Sequence, residues 1–499
     1  MSQSDRGLRR LAAGTLLVAF DGTTAPDWVL RELERGLGGV TLFGFNVAAP
    51  DQVAGLTAAL RAAGEPFISL DEEGGDVTRL AYHVGSPYPG NAALGAVDDV
   101  ELTRRVYRAI GSELVAAGVN LDMAPAADVN TAEDNPVIGT RAFGDDAELV
   151  ARHTVAAVQG LQSAGVAACV KHFPGHGATT VDSHLAIPVV DVTLDVLRSR
   201  ELVPFVAAIE AGARSVMTAH VAVPALTGDQ PATLSPAAIT GLLRGELGYD
   251  GVVVSDALDM HAISEGVGLA RGAALSLAAG ADLLCLGPKP GYDEILAIIA
   301  EIVAAVGDGR LPAERLEEAA ARADRLRAWF ASGTSVRDDP ADVGLDAARR
   351  AVRLDGSAGP LTDPLVVEVD TPPTIAVGDV PWGVSPWLPE GEVVRVTPAE
   401  AVSERLLERA KGRSLVVVVK DAHRYADSRA LVSALVAARP DTIVVEMGLP
   451  IWRPGSAVYL ATYGAARANT RAAMELLTSG QRPRAAAIAA LDRSPKRSA

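Results

Sequence analysis

The first 310 residues repeat one pattern, in which a short apolar run ends at a polar residue or glycine and an amphipathic segment follows. The apolar runs are continuous and not alternating, which is typical of parallel strands covered on both faces. Between them, apolar residues three and four positions apart predict helices. The predicted strands are residues 16–20, 39–42, 67–70, 120–123, 167–170, 215–217, 252–254 and 282–286. Eight such units predict a closed (β/α)8 barrel.

The pattern changes after a long charged helix predicted over residues 312–331. Ser332-Gly333-Thr334-Ser335 and Asp338-Asp339-Pro340 indicate a polar connection. Further strands are predicted at residues 365–369, 374–377, 393–396, 415–419 and 442–446, with helices between them. The predicted fold class is therefore α/β, a (β/α)8 TIM barrel over residues 1–335 followed by a smaller α/β sandwich domain over residues 336–499. Asp421 and His423 of the second domain are predicted surface groups, with a part in shaping the leaving-group site as the alternative.

The charge balance limits the classes of partner. The chain has 45 basic and 62 acidic side chains, a formal net charge of −17. Nucleic-acid binding depends on neutralising phosphates with Lys and Arg, and attraction to an anionic membrane depends on the same residues. Neither partner is expected, and no apolar stretch reaches the roughly 18 residues of a membrane span. The composition favours a protein that acts on a small or neutral substrate.

The N-terminus and the cysteines bear on the compartment. Arg9-Arg10 followed by residues 11–20 resembles a signal sequence, but the apolar run is short, and Asp21-Gly22-Thr23-Thr24 stands where a cleavage site would need small residues. A cytoplasmic location is therefore predicted. Cys169 and Cys285 each lie within an apolar run, which predicts two small core residues and no disulfide or metal site.

Polar residues follow most of the predicted barrel strands. In strand order they are Asp21, Phe43-Gly44, Asp71, Pro125 with Asp128, Lys171-His172, His220, Asp256 and Gly287. Active sites of such barrels are assembled at the carboxyl ends of the strands. A single Asp at such a position is usually a helix cap, but carboxylates, Lys and His converging on one rim predict an active site.

Four segments carry most of this chemistry. Residues 171–177 read KHFPGHG and are followed by Asp182-Ser183-His184, so three of the chain's eight histidines lie near one strand exit. Residues 252–260 read VVVSDALDM, in which an apolar strand leads to Asp256, while Asp259 is predicted to be a capping or solvated group. Residues 69–79 and 135–144 each place an Arg beyond a glycine-containing turn, and a planar Arg fork suits sugar oxygens.

In this order and at these exits, the four segments resemble glycoside hydrolase family 3, and in particular its β-N-acetylglucosaminidase branch. KHFPGHG followed by DSH is the most specific of the motifs. The resemblance covers residues 11 to about 310. It is looser over the second domain, where it rests on the arrangement of elements and on Thr462-Tyr463-Gly464.

The resemblance implies a role for each matching residue. Asp256 matches the catalytic nucleophile, His184 the acid/base and Asp182 the partner of that histidine. The residues that match the sugar-binding positions are Asp71, Arg79, Arg141, Lys171 and His172. The implied activity is a retaining β-N-acetylglucosaminidase acting on small carbohydrates such as peptidoglycan fragments, with no metal and no organic cofactor. Three positions depart from the family's pattern, with Glu72 for Gln, Asp76 for Arg and Ala257 for Asp; the first two alter the charge close to the implied sugar site.

These residue types suit glycosidic bond cleavage. A carboxylate can meet the developing oxocarbenium ion, and an acid must protonate the leaving oxygen. A histidine, whose ordinary pKa is about 6.5, can do the acid's work at neutral pH. Asp182 would orient His184 and stabilise its charged form.

Three alternatives remain open. A phosphorylase of the same branch is one, because a neutral histidine does not repel an incoming phosphate dianion. A metal-dependent barrel hydrolase would use His172 and His220, but the chain has Asp21-Gly22 and Leu286-Gly287 where that class has ligands. A non-catalytic sugar-binding protein would not need Asp256 and His184 together. The oligomeric state stays open.

Overall fold

A computed structural model describes residues 3–180, 187–332, 342–388 and 390–479. Eight parallel strands close into a barrel, with β8 pairing back onto β1 through Leu16 and Leu284. The strands are β1 (Leu16–Val18), β2 (Gly39–Thr41), β3 (Phe67–Leu70), β4 (Leu121–Asp122), β5 (Ala167–Phe173), β6 (Ser215–Thr218), β7 (Val252–Ser255) and β8 (Leu283–Cys285). Each contains or overlaps a predicted run, so the predicted (β/α)8 barrel is confirmed.

Helices follow every barrel strand and form the outer layer. The longer ones are Gln3–Gly14, Asp27–Glu34, Pro50–Ala62, Asn91–Val97, Val100–Ala116, Ala147–Ala164, Val203–Glu210, Leu269–Ala279, Tyr292–Gly307 and Ala313–Ser332, with a π-helix at Ala237–Glu246. Shorter helical turns lie at Gly44–Asn46, Gly139–Arg141, Leu194–Val196, Leu197–Glu201, Pro224–Thr227, Ala232–Leu234 and His261–Ser264. None of the helices in the described ranges is long and apolar enough to cross a lipid bilayer.

The amino-terminal end of the barrel is filled and covered. Leu17, Phe67 and Met217 pack inside it together with Cys169, and Leu326 of the helix Ala313–Ser332 packs against them. Both cysteines are buried and free, and burial raises the pKa of each thiol to about 12. Apolar side chains therefore close the barrel interior at this end, and active sites of such barrels are assembled at the opposite, carboxyl end.

A six-stranded sheet follows the barrel in the chain. Its order is β11-β10-β12-β13-β14-β9, and only β9 is antiparallel to its neighbour. The strands are β9 (Arg353–Asp355), β10 (Leu365–Val369), β11 (Glu392–Val396), β12 (Leu415–Val419), β13 (Ile443–Glu446) and β14 (Val458–Ala461). The helices of this part are Val343–Ala351, Ser385–Trp387, Ser403–Arg409, Ala422–Arg424, Ala426–Ala438 and Arg467–Ser479. Separate apolar clusters on its two faces confirm the predicted α/β sandwich. The domain boundary predicted between residues 335 and 336 lies outside the described residues.

The strand predicted at residues 374–377 is wrong. The segment is a turn, closed by hydrogen bonds from the N–H groups of Val377 (3.2 Å) and Gly378 (2.9 Å) to the carbonyl of Thr374. Pro372 and Pro373 precede it and Gly378 ends it at a φ of +71°. A proline cannot donate to a strand ladder and a glycine at positive φ favours a turn, so these flanking residues outweigh the apolar content of the segment.

Candidate active site

A cavity of about 280 Å³ lies at the carboxyl end of the barrel. Its lining includes six of the eight residues singled out in the sequence, namely Asp71, Arg79, Arg141, Lys171, His172 and Asp256. The other two, Asp182 and His184, lie outside the described residues. The six side chains leave four different strands or the loops after them, so the barrel alone brings them together.

Lys171 is the centre of the charged network in this cavity. It is a residue of β5, and its side chain is only 2% exposed. Its Nζ lies 2.6 Å from Asp71 Oδ1 and 2.7 Å from Glu73 Oε1. Burial raises the pKa of the Asp71 carboxyl, but the charges of Lys171 and Arg79 outweigh burial and hold this pKa below its ordinary value. Asp71 is therefore ionised at neutral pH.

Arg141 holds the other side of Glu73. Its Nε and Nη2 donate to the two oxygens of Glu73 at 2.9 and 2.7 Å, a bidentate pair. Burial of Glu73 is outweighed by the charges of Arg141 and Lys171, which lower the pKa of its carboxyl. Arg141 Nη2 also donates to His172 Nε2 at 3.3 Å, while His172 Nδ1 lies 2.8 Å from Asp128 Oδ2. Arg141 and Asp128 thus fix the orientation of the His172 ring through its two nitrogen atoms.

Both cations keep hydrogen-bonding capacity for a ligand. Within the described residues, Lys171 uses two of its three donors, on Asp71 and Glu73. Arg141 uses four of its five, on Glu73, His172 and the Val137 carbonyl. The site can therefore donate to ligand oxygens from two fixed positions without breaking its own ion pairs.

The sheet that follows the barrel contributes to the wall of the cavity. Ile375 and Ala376 line it, and Arg79 Nη2 donates to the Ala376 carbonyl at 2.9 Å. The same nitrogen lies 3.6 Å from Asp71 Oδ2. Arg79 therefore links the barrel carboxylate to the 374–378 turn.

Asp256 follows β7 directly and is half-buried at the cavity. Its backbone N–H donates to the Thr218 carbonyl of β6, which continues the ladder by one residue. The Ala257 N–H donates to Asp256 Oδ1 at 2.8 Å. A hydrogen bond to a carboxylate oxygen stabilises its ionised form and fixes its direction.

The prediction for Asp259 was wrong. The side chain is buried, and its Oδ2 accepts a hydrogen bond from the Lys289 N–H at 3.0 Å. Asp259 packs so closely on Gly287, which has a φ of +76°, that a Cβ there would meet its carboxylate. Asp259 therefore holds the loop after β8 against the loop after β7, and the sequence carried no signal of this contact.

His176 also lines the cavity, and it is almost fully buried. Its Nδ1 lies 2.7 Å from Thr179 Oγ1, while Nε2 has no hydrogen-bond partner among the described residues. Burial, together with the charge of His172, lowers the pKa of His176 to about 4. The imidazole is therefore neutral at pH 7 and is poorly suited to donate a proton there.

Two residues of this network were not assigned a role from the sequence. Glu73 was visible only as one of three consecutive acids after β3, and nothing local shows that its side chain reaches both Lys171 and Arg141. Asp128 was visible only as a polar residue beyond β4. Its Oδ1 accepts from the N–H groups of His172 (3.2 Å) and His176 (2.7 Å), contacts between adjacent strand exits that only the closed barrel reveals.

Glu72, which departs from the family's usual Gln, lies buried beneath the site. Its Oε2 accepts from the backbone N–H groups of Arg79 (2.8 Å) and Leu80 (2.9 Å). Burial outweighs these hydrogen bonds and raises its pKa to about 7. Below that pH the side chain is neutral, as a glutamine would be.

We expect Glu72→Gln to change how stability depends on pH. The folded state keeps the proton of Glu72 up to about pH 7, whereas the unfolded chain releases it near 4.5. This contribution to stability is present below pH 4.5 and is lost as pH rises through 7. The variant should match the parent at pH 4.5 and exceed it by about 3 kcal/mol above pH 7. Thermal unfolding of both proteins from pH 4.5 to 8 measures this, and a constant difference would contradict it.

Asp76, which departs from the family's usual Arg, faces the following sheet. Its Oδ2 lies 3.1 Å from Lys420 Nζ and accepts from Thr140 Oγ1 at 3.0 Å, while Oδ1 accepts from the Ala465 N–H at 2.7 Å. It does not belong to the lining of the 280 Å³ cavity. The negative charge that Asp76 introduces is therefore paired with Lys420, and this ion pair stabilises the contact between the barrel and the sheet.

We expect Asp76→Asn to be more destabilising than the double change Asp76→Asn with Lys420→Met. The single change leaves the largely buried Lys420 ammonium without the Asp76 carboxylate and should cost about 3 kcal/mol. The double change removes that ammonium while the Asn oxygen can still accept from Ala465. The midpoint temperature of the first thermal unfolding transition ranks the stability of the variants. If the losses of stability in the two single variants add up to the loss in the double variant, Asp76 and Lys420 are not coupled.

Asp421 and His423, which the sequence analysis predicted to be surface groups, are partly exposed and also lie at this contact. His423 Nε2 donates to the Glu133 carbonyl of the barrel at 2.9 Å, and Asp421 Oδ1 accepts from the Leu449 N–H at 3.2 Å. Both line a small crevice between the sheet and the 133–141 loop.

Comparison with known proteins agrees with this architecture. Residues 23–326 match the family model of the glycosyl hydrolase family 3 N-terminal domain. The solved structure of a glycoside hydrolase family 3 β-N-acetylglucosaminidase from Paenibacillus sp. str. FPU-7 is similar over 95% of this chain and 97% of that one, with a TM-score of 0.86 and 36% identity. The β-hexosaminidase of Stenotrophomonas maltophilia (strain K279a) is 38% identical over 313 residues, which are 60% of this chain and 90% of that protein.

A further relative is longer than this chain. The β-hexosaminidase A of Pseudoalteromonas piscicida is 35% identical over 333 residues, 61% of this chain, and the match spans only 56% of that protein's length. The family match covers more than half of this chain and includes every barrel strand from β2 to β8. The chain therefore belongs to glycoside hydrolase family 3.

Proposed function

We propose that the chain is a retaining β-N-acetylglucosaminidase that hydrolyses terminal N-acetyl-β-glucosaminides, with peptidoglycan fragments as its substrates. One observation carries the proposal: Asp256 lines the same cavity as the Asp71, Lys171 and Arg141 network, in a family 3 chain. The 36% identity with a β-N-acetylglucosaminidase over almost the whole chain supports the choice of sugar.

The network would hold the non-reducing sugar. Ionised Asp71 accepts hydrogen bonds from sugar hydroxyls, while the remaining donors of Lys171 and Arg141 bind sugar oxygens. Because each of these groups is fixed by an ion pair within the protein, little side-chain entropy is lost when the sugar binds. The sugar would thus be presented to Asp256 in one orientation.

The reaction proceeds in two displacements. The Asp256 carboxylate attacks the anomeric carbon while the glycosidic C–O bond breaks, and His184 donates its proton to the leaving oxygen. His184, which Asp182 would orient, then removes a proton from water, whose oxygen displaces Asp256 and returns the carboxylate. His176 is unsuited to the acid step because its pKa is about 4, which supports His184 as the acid/base.

Product analysis tests the function. With an aryl N-acetyl-β-glucosaminide, the purified protein should release N-acetylglucosamine whose first-formed anomer is β, because two displacements retain configuration. Proton NMR of early product identifies the anomer. Added phosphate should leave the free sugar as the main product, and treatment with a chelator should not lower the rate.

Each alternative gives a different result. An α product formed first would exclude a covalent intermediate on Asp256. The sugar 1-phosphate as main product would identify a phosphorylase, and loss of activity with the chelator, restored by metal, would identify a metal-dependent hydrolase. Sugar binding without turnover would identify a binding protein.

A further inference from the structure

A second cavity, of about 520 Å³, lies in the sheet that follows the barrel. It opens at the carboxyl ends of three adjacent strands, where Asp370 follows β10, Thr397 follows β11 and Lys420 follows β12. Its volume falls within the range of about 300–1,000 Å³ that is usual for small-molecule sites.

The topology of the sheet places this cavity at a crossover. From β10 the chain passes to β11 on one side, and it then crosses to β12 on the other side of β10. The connections on either side of β10 therefore diverge and leave a crevice outside the strand ends. In open α/β sheets this crevice is where ligands bind.

The charges that line the cavity are balanced. Three cations and three carboxylates face it, namely Arg395, Lys420, Arg424, Asp370, Asp379 and Asp421. A phosphate ligand would need a glycine-rich loop or an excess of cations, but the chain leaves β10 as Asp370-Thr371-Pro372-Pro373. The lining therefore favours an uncharged ligand rich in hydroxyl groups.

The polar and aromatic groups are held in place before a ligand binds. Arg395 pairs with the buried Glu368 at 2.8 Å, and its guanidinium lies over the Trp382 ring, 4.8 Å from the centroid. The Arg424 guanidinium lies over the Tyr425 ring, 5.4 Å from its centroid, and no carboxylate of the described residues forms an ion pair with it. Its donors therefore remain for a ligand, beside two aromatic rings.

We propose that this cavity is an accessory binding site for a neutral saccharide, occupied independently of the active site. Planar Arg and Asp groups recognise sugar hydroxyls, and aromatic side chains cover the apolar faces of the sugar ring. That the ligand contains N-acetylglucosamine units rests on the proposed function. That the ligand is a neutral saccharide is inferred from the residues that line the cavity.

The accessory site shares one wall with the active site. Ile375 and Ala376 line the active-site cavity, and their neighbours Thr374, Val377 and Gly378 line the second cavity. The turn is clamped to the barrel, because the Asp379 N–H donates to the Tyr82 hydroxyl at 3.0 Å. Only the 374–378 turn would therefore separate a sugar in the second cavity from the active-site cavity.

Tryptophan fluorescence can report this site separately. Trp382 lines the second cavity, whereas the described lining of the active-site cavity contains no tryptophan. The full-length Asp256→Asn protein is titrated with N-acetylglucosamine and with its β-1,4-linked dimer, which that variant should not cleave. We expect a saturable change in emission that survives Trp28→Phe and disappears in Trp382→Phe.

A second variant tests binding without removing the reporter. Arg424→Gln keeps Trp382 and leaves no ion pair broken, and it should weaken the titration by about tenfold. Inorganic phosphate should not displace the sugar, and unchanged melting temperatures confirm the fold of each variant. The proposal is overturned if no saturable change occurs, if the change survives Trp382→Phe, if Arg424→Gln has no effect, or if phosphate competes. Turnover of the parent protein is measured separately, so a failed hydrolase assignment cannot be mistaken for a failed accessory site.

Discussion

Replacing Asp256 by asparagine is expected to abolish turnover of every substrate, with a loss of roughly 10⁴-fold or more in kcat. The amide keeps the shape of the side chain and can still accept from the Ala257 N–H. It lacks the charge that meets the oxocarbenium ion and the nucleophilic oxygen that forms the covalent bond. The loss should therefore be the same for good and poor leaving groups, as measured with a series of aryl and sugar glycosides.

Asp259→Asn is the matched control for this change. Asp259 lines the same cavity three residues later, but its carboxylate faces the Lys289 N–H, which an amide oxygen can also satisfy. We expect it to lose less than about tenfold in kcat, because no charge develops against it. Equal losses in the two variants would indicate that the effect of Asp256→Asn comes from the disturbed loop and not from a missing nucleophile.

The fold of the barrel could be predicted because each strand is buried on both faces. β5 shows the limit of that signal: the apolar run ends at Val170, but the strand continues through Lys171 and His172 to Phe173. Their polar side chains point to the active site, so hydrophobicity alone ends the strand too early. In the second domain, β9 pairs antiparallel with β14, contains Arg353 and Asp355, and gives no apolar run. β14 was missed although its sequence, Val-Tyr-Leu-Ala, carries the same signal as the predicted strands.

The sequence predicted those site residues that directly follow a barrel strand or belong to a recognisable motif. Asp71, Lys171 and Asp256 were found in this way, and the structure places them in one cavity. What a single sequence cannot give is the partner of each charge. Glu73 forms ion pairs with both Lys171 and Arg141, and Asp76 forms one with Lys420, which lies 344 positions later in the chain. These pairs form only when the chain has folded.

His184→Ala is expected to produce a loss that depends on the leaving group. Sugar and alkyl leaving oxygens need a proton, so their glycosides should lose roughly 10²–10⁴-fold in kcat/KM. A nitrophenolate departs without one, so its glycosylation step should be affected much less. Hydrolysis of the glycosyl-enzyme would then limit turnover, because the same histidine activates the water. Intact mass measurement of the variant, quenched during turnover, should show the chain carrying one sugar.

Azide and a second histidine variant complete the test. Azide attacks the glycosyl-enzyme without a general base, so it should accelerate His184→Ala and yield the β-glycosyl azide, while having no effect on Asp256→Asn. His176→Asn serves as the control, because His176 lines the cavity but its pKa of about 4 leaves it neutral at pH 7. Its loss should be independent of the leaving group and should not respond to azide. If azide instead rescues His176→Asn and not His184→Ala, then His176 is the acid/base, and its pKa must rise when the substrate occupies the cavity.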